Sequence, residues 1–430
     1  MTPLLRGKRA PRRKQARNVA HQQTHSGFSG LGIAPGLLAA IDELGFTEPT
    51  PIQQQSIPLG LTGEDLIAIA QTGTGKTLAF GVPMLQRLAQ IKGRGLIILP
   101  TRELAIQVDE ALLDVGSKSG LKTAVLIGGA SMSAQCRALE RKPRIIVATP
   151  GRLIDHMQQG NAKLRDVEIL VLDEADRMLD MGFLPQINRI LEVLPRQRQT
   201  MLFSATMPTD IVKIARRSMK KPVHVEIAPS GTTVENVTQE VFFVEALDKP
   251  GLLDVQLQKY SGPALVFTRT KHGARKLARF LRARKYRVAD IHSDKTLPQR
   301  RKALDGFKSG QYRVLVATDI AARGIDVIGI ELVANYDLPS TSEDYVHRIG
   351  RTARAGRAGR AISFATFNQA GEVRAIEELM RTDLPVTPLP SQFKPPPVMK
   401  IPTGKATSGF GKRRSGTRLG TRGRKRVRNR

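Results

Sequence analysis

The chain predicts an α/β protein built as two tandem doubly wound parallel-sheet domains, with basic disordered tails at both ends. Three observations carry this. Short apolar strands alternate with longer amphipathic stretches in two successive blocks, the pattern of parallel sheets covered on both faces. The segment Ile227–Glu235 between the blocks lacks periodicity and reads as a linker. A length of 430 residues exceeds one ordinary domain. The expected division is a basic tail at 1–25, a domain at 26–226, a linker at 227–237, a domain at 238–385, and a Pro-rich then polybasic tail at 386–430.

In the first block the strands fall at Leu66–Ala70, Gly95–Leu99, Thr123–Ile127, Arg144–Ala148, Glu168–Leu172 and Gln199–Phe203. The stretch Arg102–Ser117 places Leu104, Val108 and Leu112 at helical spacing. In the second block the strands are Ala264–Thr268, Arg287–Ile291, Val314–Ala317, Leu332–Tyr336 and Ala361–Ala365, with His272–Lys285 the clearest helix. Residues 1–25 are polar without a period, and the chain after Leu384 is rich in proline and then in Gly, Arg and Lys.

Net charge is +30, and 19 of those excess charges sit in the end segments Met1–His25 and Lys400–Arg430, which hold no acidic residue. The body keeps about +11, so it too is basic. A nucleic acid is the polyanion such a surface suits, through phosphate contacts and counterion release; the plainer reading of the tails is solvated charge. No apolar run approaches the ~18–20 residues of a membrane span, and no apolar segment follows the basic start as a secretory signal requires. Cys136 is the only cysteine, which excludes an internal disulfide and a multi-cysteine zinc site and suits a reducing cytoplasm.

Two segments carry chemistry. Ala70-Gln71-Thr72-Gly73-Thr74-Gly75-Lys76-Thr77 follows a strand and precedes a helical pattern, the setting of a phosphate-binding loop. Its glycines let backbone N–H groups wrap phosphates; Lys76 reaches the β/γ oxygens and Thr77 a magnesium ion. Ala70 stands where the general pattern has glycine, a mild change. Asp173-Glu174-Ala175-Asp176 closes the apolar run Ile169–Leu172. There Asp173 can hold Mg2+, partly through water, and Glu174 can polarise a water for attack on phosphate.

Together with Ser204-Ala205-Thr206, these segments resemble the DEAD-box family of ATP-dependent RNA helicases, with two RecA-like domains; the likeness runs from about Phe28 to Arg360. Gly45-Phe46-Thr47-Glu48-Pro49-Thr50-Pro51-Ile52-Gln53, with Phe28 seventeen residues upstream of Gly45, resembles the adenine-reading motif. An amide such as Gln53 can pair with the adenine edge, and an aromatic ring can stack on its face. The resemblance implies RNA-backbone roles for Thr101, Arg102, Gly129, Thr149, Gly151 and Arg152 in the first domain, and for Arg300 and Thr318 in the second. It implies that Asp326 lies near the ATP ribose and that Arg351 and Arg354 are arginine fingers. Being three apart, those two arginines could share a helical face. It also implies that Ser204 and Thr206 couple the ATP and RNA sites.

Three features depart from the family. Thr352-Ala353-Arg354 replaces Thr-Gly-Arg, and an alanine there is comfortable only at negative φ. Ser293 and Leu297 replace a glycine and an RNA-proximal glutamine, and Leu297 receives no role. Phe267-Thr268-Arg269-Thr270-Lys271-His272-Gly273 looks most like the bacterial RhlE-type subgroup. The resemblance implies an RNA-stimulated ATPase that opens short duplexes locally and remodels RNA–protein complexes, with ribosomal or RNA-turnover assemblies as partners. An ATP-gated RNA clamp with little unwinding uses the same motifs. A DNA helicase of the wider superfamily is disfavoured by Gln53 and Asp173–Asp176.

Overall fold

The computed structural model describes residues 27–71, 73–117, 120–227, 237–322, 327, 329–353 and 358–393. The first domain is a seven-stranded sheet in the order β3-β4-β2-β5-β6-β1-β7. Its strands are β1 Leu66–Ile69, β2 Arg94–Ile98, β3 Thr123–Leu126, β4 Ile145–Ala148, β5 Val167–Leu172, β6 Gln199–Ser204 and β7 Val223–Glu226. The second is six-stranded, in the order β10-β11-β9-β12-β13-β8. Its strands are β8 Val237–Phe243, β9 Ala264–Phe267, β10 Val288–Ile291, β11 Val314–Ala317, β12 Leu332–Asn335 and β13 Gly359–Ala365. Every strand pairing within the two sheets is parallel.

Alternation along each strand feeds two apolar layers, one per sheet face. Leu66, Ala68, Ile169 and Val171 pack in one layer of the first domain, and Ile67, Ile69, Leu170 and Leu172 in the other. In the second domain Leu265, Phe267 and Leu315 pack on one face and Ala264, Val266 and Val314 on the other. Most of these side chains are fully buried, each contributing about 1.5–3 kcal/mol for the larger ones.

Three expectations change. Strands β7 and β8 had no counterpart in the sequence reading; both are edge strands with polar residues at half their positions. The expected tail at 386–430 begins too early. Val386 bridges to Val241, Val241 N–H donates to the Pro385 carbonyl (2.9 Å) and Thr387 N–H to the Val241 carbonyl (2.8 Å). Leu389 and Phe393 then pack on the apolar layer of the second domain. This strap covers the open edge of β8, where prolines are tolerated because no outward N–H is needed. The remaining tail residues, the tail at 1–25 and the linker residues 228–236 lie outside the described residues. Finally, Ala353 takes φ +55°, against the negative φ an alanine prefers.

Candidate functional site

Strands β5, β6 and β1 are neighbours, so the segments leaving their C-terminal ends converge. The loop after β1 turns through Gly73 at φ +86° and Gly75 at φ +88°, a region open to glycine at little cost. Space is as restrictive as the dihedral angle, because a Cβ on Gly75 would collide with the Gln53 amide. Lys76 opens the helix Lys76–Gln90, with Thr77 half-buried beside it. The buried Lys76 ammonium donates to the Ala70 carbonyl at 3.2 Å and lies 4.0 Å from Asp173 Oδ1.

Gln53 sits in the first turn of the helix Pro51–Thr62 and is 3% exposed. Its Oε1 accepts the Thr50 N–H at 2.9 Å, and its Nε2 donates to the Gly75 carbonyl at 3.0 Å. The Thr50 hydroxyl donates to the Thr74 carbonyl at 2.7 Å. Gln53 therefore clamps the phosphate loop from behind, and these two bonds use one N–H and one lone pair of its amide. The Phe28 ring is 3% exposed and packed in the core, whereas Phe46 is 43% exposed.

Asp173 follows β5 and is 3% exposed, with Oδ1 accepting the Glu174 N–H at 2.9 Å. Burial pushes its carboxyl up to about 6; Lys76 pulls it down and Glu174 adds to the rise. Glu174 takes φ +51°, a left-handed conformation that costs a non-glycine residue about 1–2 kcal/mol and aims its carboxylate at Arg177, 3.7 Å away. Asp176 turns the opposite way. Its Oδ2 accepts the N–H groups of Ala205 (3.1 Å) and Thr206 (2.8 Å) and the Thr206 hydroxyl (3.0 Å), while its own N–H donates to Ser204 Oγ at 3.1 Å. The tetrad and Ser204–Thr206 thus form one hydrogen-bonded unit. The Ser204 carbonyl also accepts the Ala70 N–H at 3.0 Å, which joins the phosphate loop to it.

The other half of that sheet edge, β3-β4-β2, carries the expected RNA residues. Thr101 caps the helix Arg102–Val115, its hydroxyl accepting the Leu104 N–H at 3.3 Å. The Arg102 guanidinium lies across Gly128 and Gly129, where a Cβ at Gly129 would collide with it. Thr149 starts the helix Pro150–Gln158, which holds Gly151 and Arg152; Arg152 donates to the Ala130 carbonyl at 3.1 Å. A cleft between the domains gathers Thr101, Arg102, Thr149, Gly151 and Arg152 from the first domain with Ser293 and Arg300 from the second. Thr318, half-buried at the end of β11, is not on its wall.

Arg300 pairs across the domains with Glu103, Nε to Oε1 at 2.8 Å, and both side chains are below 10% exposed. Burial pulls its guanidinium below the ordinary arginine value, and Glu103 opposes that shift. Leu297, at the start of the same helix Leu297–Lys308, packs against the first domain's core. A second interdomain cavity holds Arg177 on one side and Arg351, His347 and Asp319 on the other. The helix Ser342–Ile349 ends at Gly350, so Arg351 stands in the turn beyond it, its Nε donating to the His347 carbonyl at 3.2 Å. Arg351 therefore lies beyond this helix, and the expected face shared with Arg354 is not tested by it. Arg354 and Asp326 lie outside the described residues.

Sequence reasoning passed over Arg177, Glu103 and Asp319. Arg177 was signalled by its i+3 spacing from Glu174. Asp319 binds Arg348 through both carboxylate oxygens, at 2.5 and 2.8 Å, a pairing without a local spacing cue.

The chain matches the DEAD/DEAH box helicase family over residues 50–214 and the helicase conserved C-terminal domain over residues 248–356. It is 45% identical over 359 residues to the DEAD-box ATP-dependent RNA helicase CshA of Bacillus subtilis, covering 82% of this chain and 72% of that one. Yeast (S. cerevisiae) Dbp5 bound to RNA and ADP BeF3 superposes with a TM-score of 0.77 at 31% identity, covering 84% of this chain and 96% of that chain. A variant of yeast Dbp5 bound to Nup159, a Gle1 variant, IP6 and ADP, at 30% identity and covering 83% and 96%, reaches only 0.59. The chain thus superposes better on the RNA-bound structure than on that one. On motif order, fold and relationship, the chain belongs to the DEAD-box family of ATP-dependent RNA helicases.

Proposed function

We propose that the protein hydrolyses ATP when RNA is bound and uses the cycle to open short RNA duplexes locally and remodel RNA–protein complexes. One observation supports this most: Arg177, the partner of Glu174, shares an interdomain cavity with Arg351. The water-activating carboxylate and the distant arginine thus come together only when the cleft is closed. RNA across the facing walls of the first cleft favours that closure.

In this reading the loop Gly73–Thr77 cradles the phosphates, Lys76 neutralises them and Gln53 meets the adenine. Phe46 is the exposed ring available to stack, whereas Phe28 is buried in the core. Glu174 takes the proton of the attacking water, while Arg351, joined by Arg354, offsets charge on the transferred phosphoryl group. Asp326 completes the ribose side. Asp176 with Ser204 and Thr206 carries the change to the RNA residues, among which Thr318 and Arg300 serve the second domain. The donors present fit Mg2+, a buried Asp173 carboxylate and the Thr77 hydroxyl, because this ion takes one or two protein oxygens and fills its shell with phosphate and water. Among the described residues no three His, Cys, Asp or Glu side chains gather into a site of their own. Bound there, the ion would withdraw charge from the phosphate oxygens.

The contacts are to backbone, so little sequence preference is expected. Ribosomal or RNA-turnover complexes in the cytoplasm are the assemblies we assign; among the described residues no helix is long and apolar enough to cross a membrane. The RhlE-type likeness rests on Phe267–Gly273 alone, whereas bacterial relatives at 44–45% identity bear the name CshA. ATP turnover measured with RNA and with DNA of equal length tests the assignment. RNA should stimulate strongly and DNA weakly, and equal stimulation contradicts it.

A further inference from the structure

Strand β3 ends at Leu126, and Ser131 caps the helix Met132–Glu140 that follows, so residues 127–130 form a short turn with Gly128 on the cleft wall. Gly129 takes φ +76°, and neither glycine has a side chain to anchor it. Glycine backbone loses the most freedom on ordering, so this turn keeps one shape only if its carbonyls are tied down.

Two helices tie them. Gln135, on Met132–Glu140 and 5% exposed, donates from Nε2 to the Ile127 carbonyl at 3.0 Å. Arg152, on Pro150–Gln158, donates to the Ala130 carbonyl at 3.1 Å. One turn further along that second helix, His156 is fully buried, with its Nε2 3.1 Å from Gln135 Oε1. The other ring nitrogen, Nδ1, is buried and has no hydrogen-bond partner among the described residues.

These contacts admit one assignment of protons. The Ile127 carbonyl takes an N–H, which turns the Gln135 amide oxygen toward His156; the ring then donates from Nε2 and keeps a lone pair at Nδ1. Burial, aided by the Arg152 charge, pulls the imidazole below its ordinary value, so the ring stays neutral. Packing alone has no need of an imidazole here, because an apolar ring fills such a space without stranding a nitrogen. The Gln135 amide accounts for it: without a donor on that side, the amide is free to rotate and present its oxygen to the Ile127 carbonyl.

We propose that His156 is a positioning residue for RNA binding, which acts through Gln135 to hold residues 127–130 in the shape that presents the Gly128 and Gly129 N–H groups to RNA phosphates. This rests on the RNA-binding reading above and assigns the form of the cleft wall to a buried side chain that touches no RNA. A turn shaped in advance spares the ordering cost on binding.

The test follows ATP turnover of the full-length protein, varying a single-stranded RNA and ATP in turn, with melting temperature recorded alongside. His156→Phe and Gln135→Met should each raise the RNA concentration for half-activation about fivefold, the size of one buried hydrogen bond. Turnover at saturating RNA and the KM for ATP should stay at their wild-type values. The double variant should be no weaker than either single one, because both remove the same bond. His156→Gln, whose amide N–H can serve the same oxygen, should keep the wild-type response. The proposal is overturned if half-activation does not move, if turnover or the KM for ATP moves with it, or if His156→Gln is as weak as His156→Phe. Should His156→Phe fail to fold, Gln135→Met and His156→Gln decide by the same readings. A wild type whose turnover RNA does not raise overturns the RNA reading itself, whereas one that RNA stimulates, with its variants unmoved, overturns the positioning role alone.

Discussion

Arg300 of the second domain and Glu103 of the first form a buried ion pair, 2.8 Å from Nε to Oε1, that exists only while the domains face each other. Arg301 and Glu110 repeat the contact at 3.0 Å on the exposed side of the same two helices. The resemblance assigned Arg300 to RNA; here it is held against the first domain, at the wall of the cleft that RNA would occupy. We propose that its place couples RNA contact to domain closure.

Glu103→Gln should therefore raise the RNA concentration that half-activates ATP turnover by tenfold or more, since a buried charge losing its partner costs about 3 kcal/mol. Thermal unfolding of the separate domains should hardly move. Arg300→Met added to Glu103→Gln should recover part of the domain-closure loss, and two effects that simply add would contradict the coupling.

Asp173 makes stability depend on pH in a defined direction. Its carboxyl is raised from 3.8 to about 6, so the fold favours the protonated form; that stabilisation is full below about pH 4 and is lost as pH rises through about 6. Without nucleotide, Asp173→Asn should melt higher than the wild type at pH 7.5, by about 1–3 kcal/mol, the upper bound offset by the ammonium of Lys76. The difference should close by pH 4. A gap constant across that range would contradict the assigned burial.

Ala353 occupies φ +55° in a turn pinned by the Thr352 hydroxyl, which donates to the Ile330 carbonyl. Ala353→Gly should stabilise the second domain by about 0.5–1 kcal/mol, the relief of left-handed strain less the added chain entropy. A melting temperature that falls would show that the turn relaxes to negative φ in solution.

Legibility followed burial. Strands such as Leu170–Leu172 and Val314–Ala317 are apolar on both faces and read directly. The edge strands hid because only one face meets the core: His224 and Glu226 in β7, and Thr238 in β8, break the apolar run. The strap misled through its prolines, which suit a sheet edge as well as a disordered tail. At the site, residue types and their order exposed the phosphate loop and the tetrad. The Gln53 clamp on Gly75 and the Glu103–Arg300 pair join residues 22 and 197 positions apart, which no local pattern encodes.

The strap gives a truncation test. A chain ending at Phe393 should keep the stability of the second domain. One ending at Leu384 should lose on the order of 3 kcal/mol as the β8 edge and the apolar ground under Leu389 and Phe393 open to water. Equal melting of the two truncations would return residues 386–393 to the tail.

The central claim is that one closed state joins ATP chemistry to RNA strand separation. The most direct measurement is separation of a short RNA duplex, with ATP-dependent RNA binding recorded alongside, for the wild type and Glu174→Gln. The wild type should separate the strands. Glu174→Gln should lose at least a hundredfold in turnover, as removal of a general base does, while still gripping RNA when ATP is present. A wild type that grips RNA with ATP yet never separates strands would contradict the account and leave a clamp in its place.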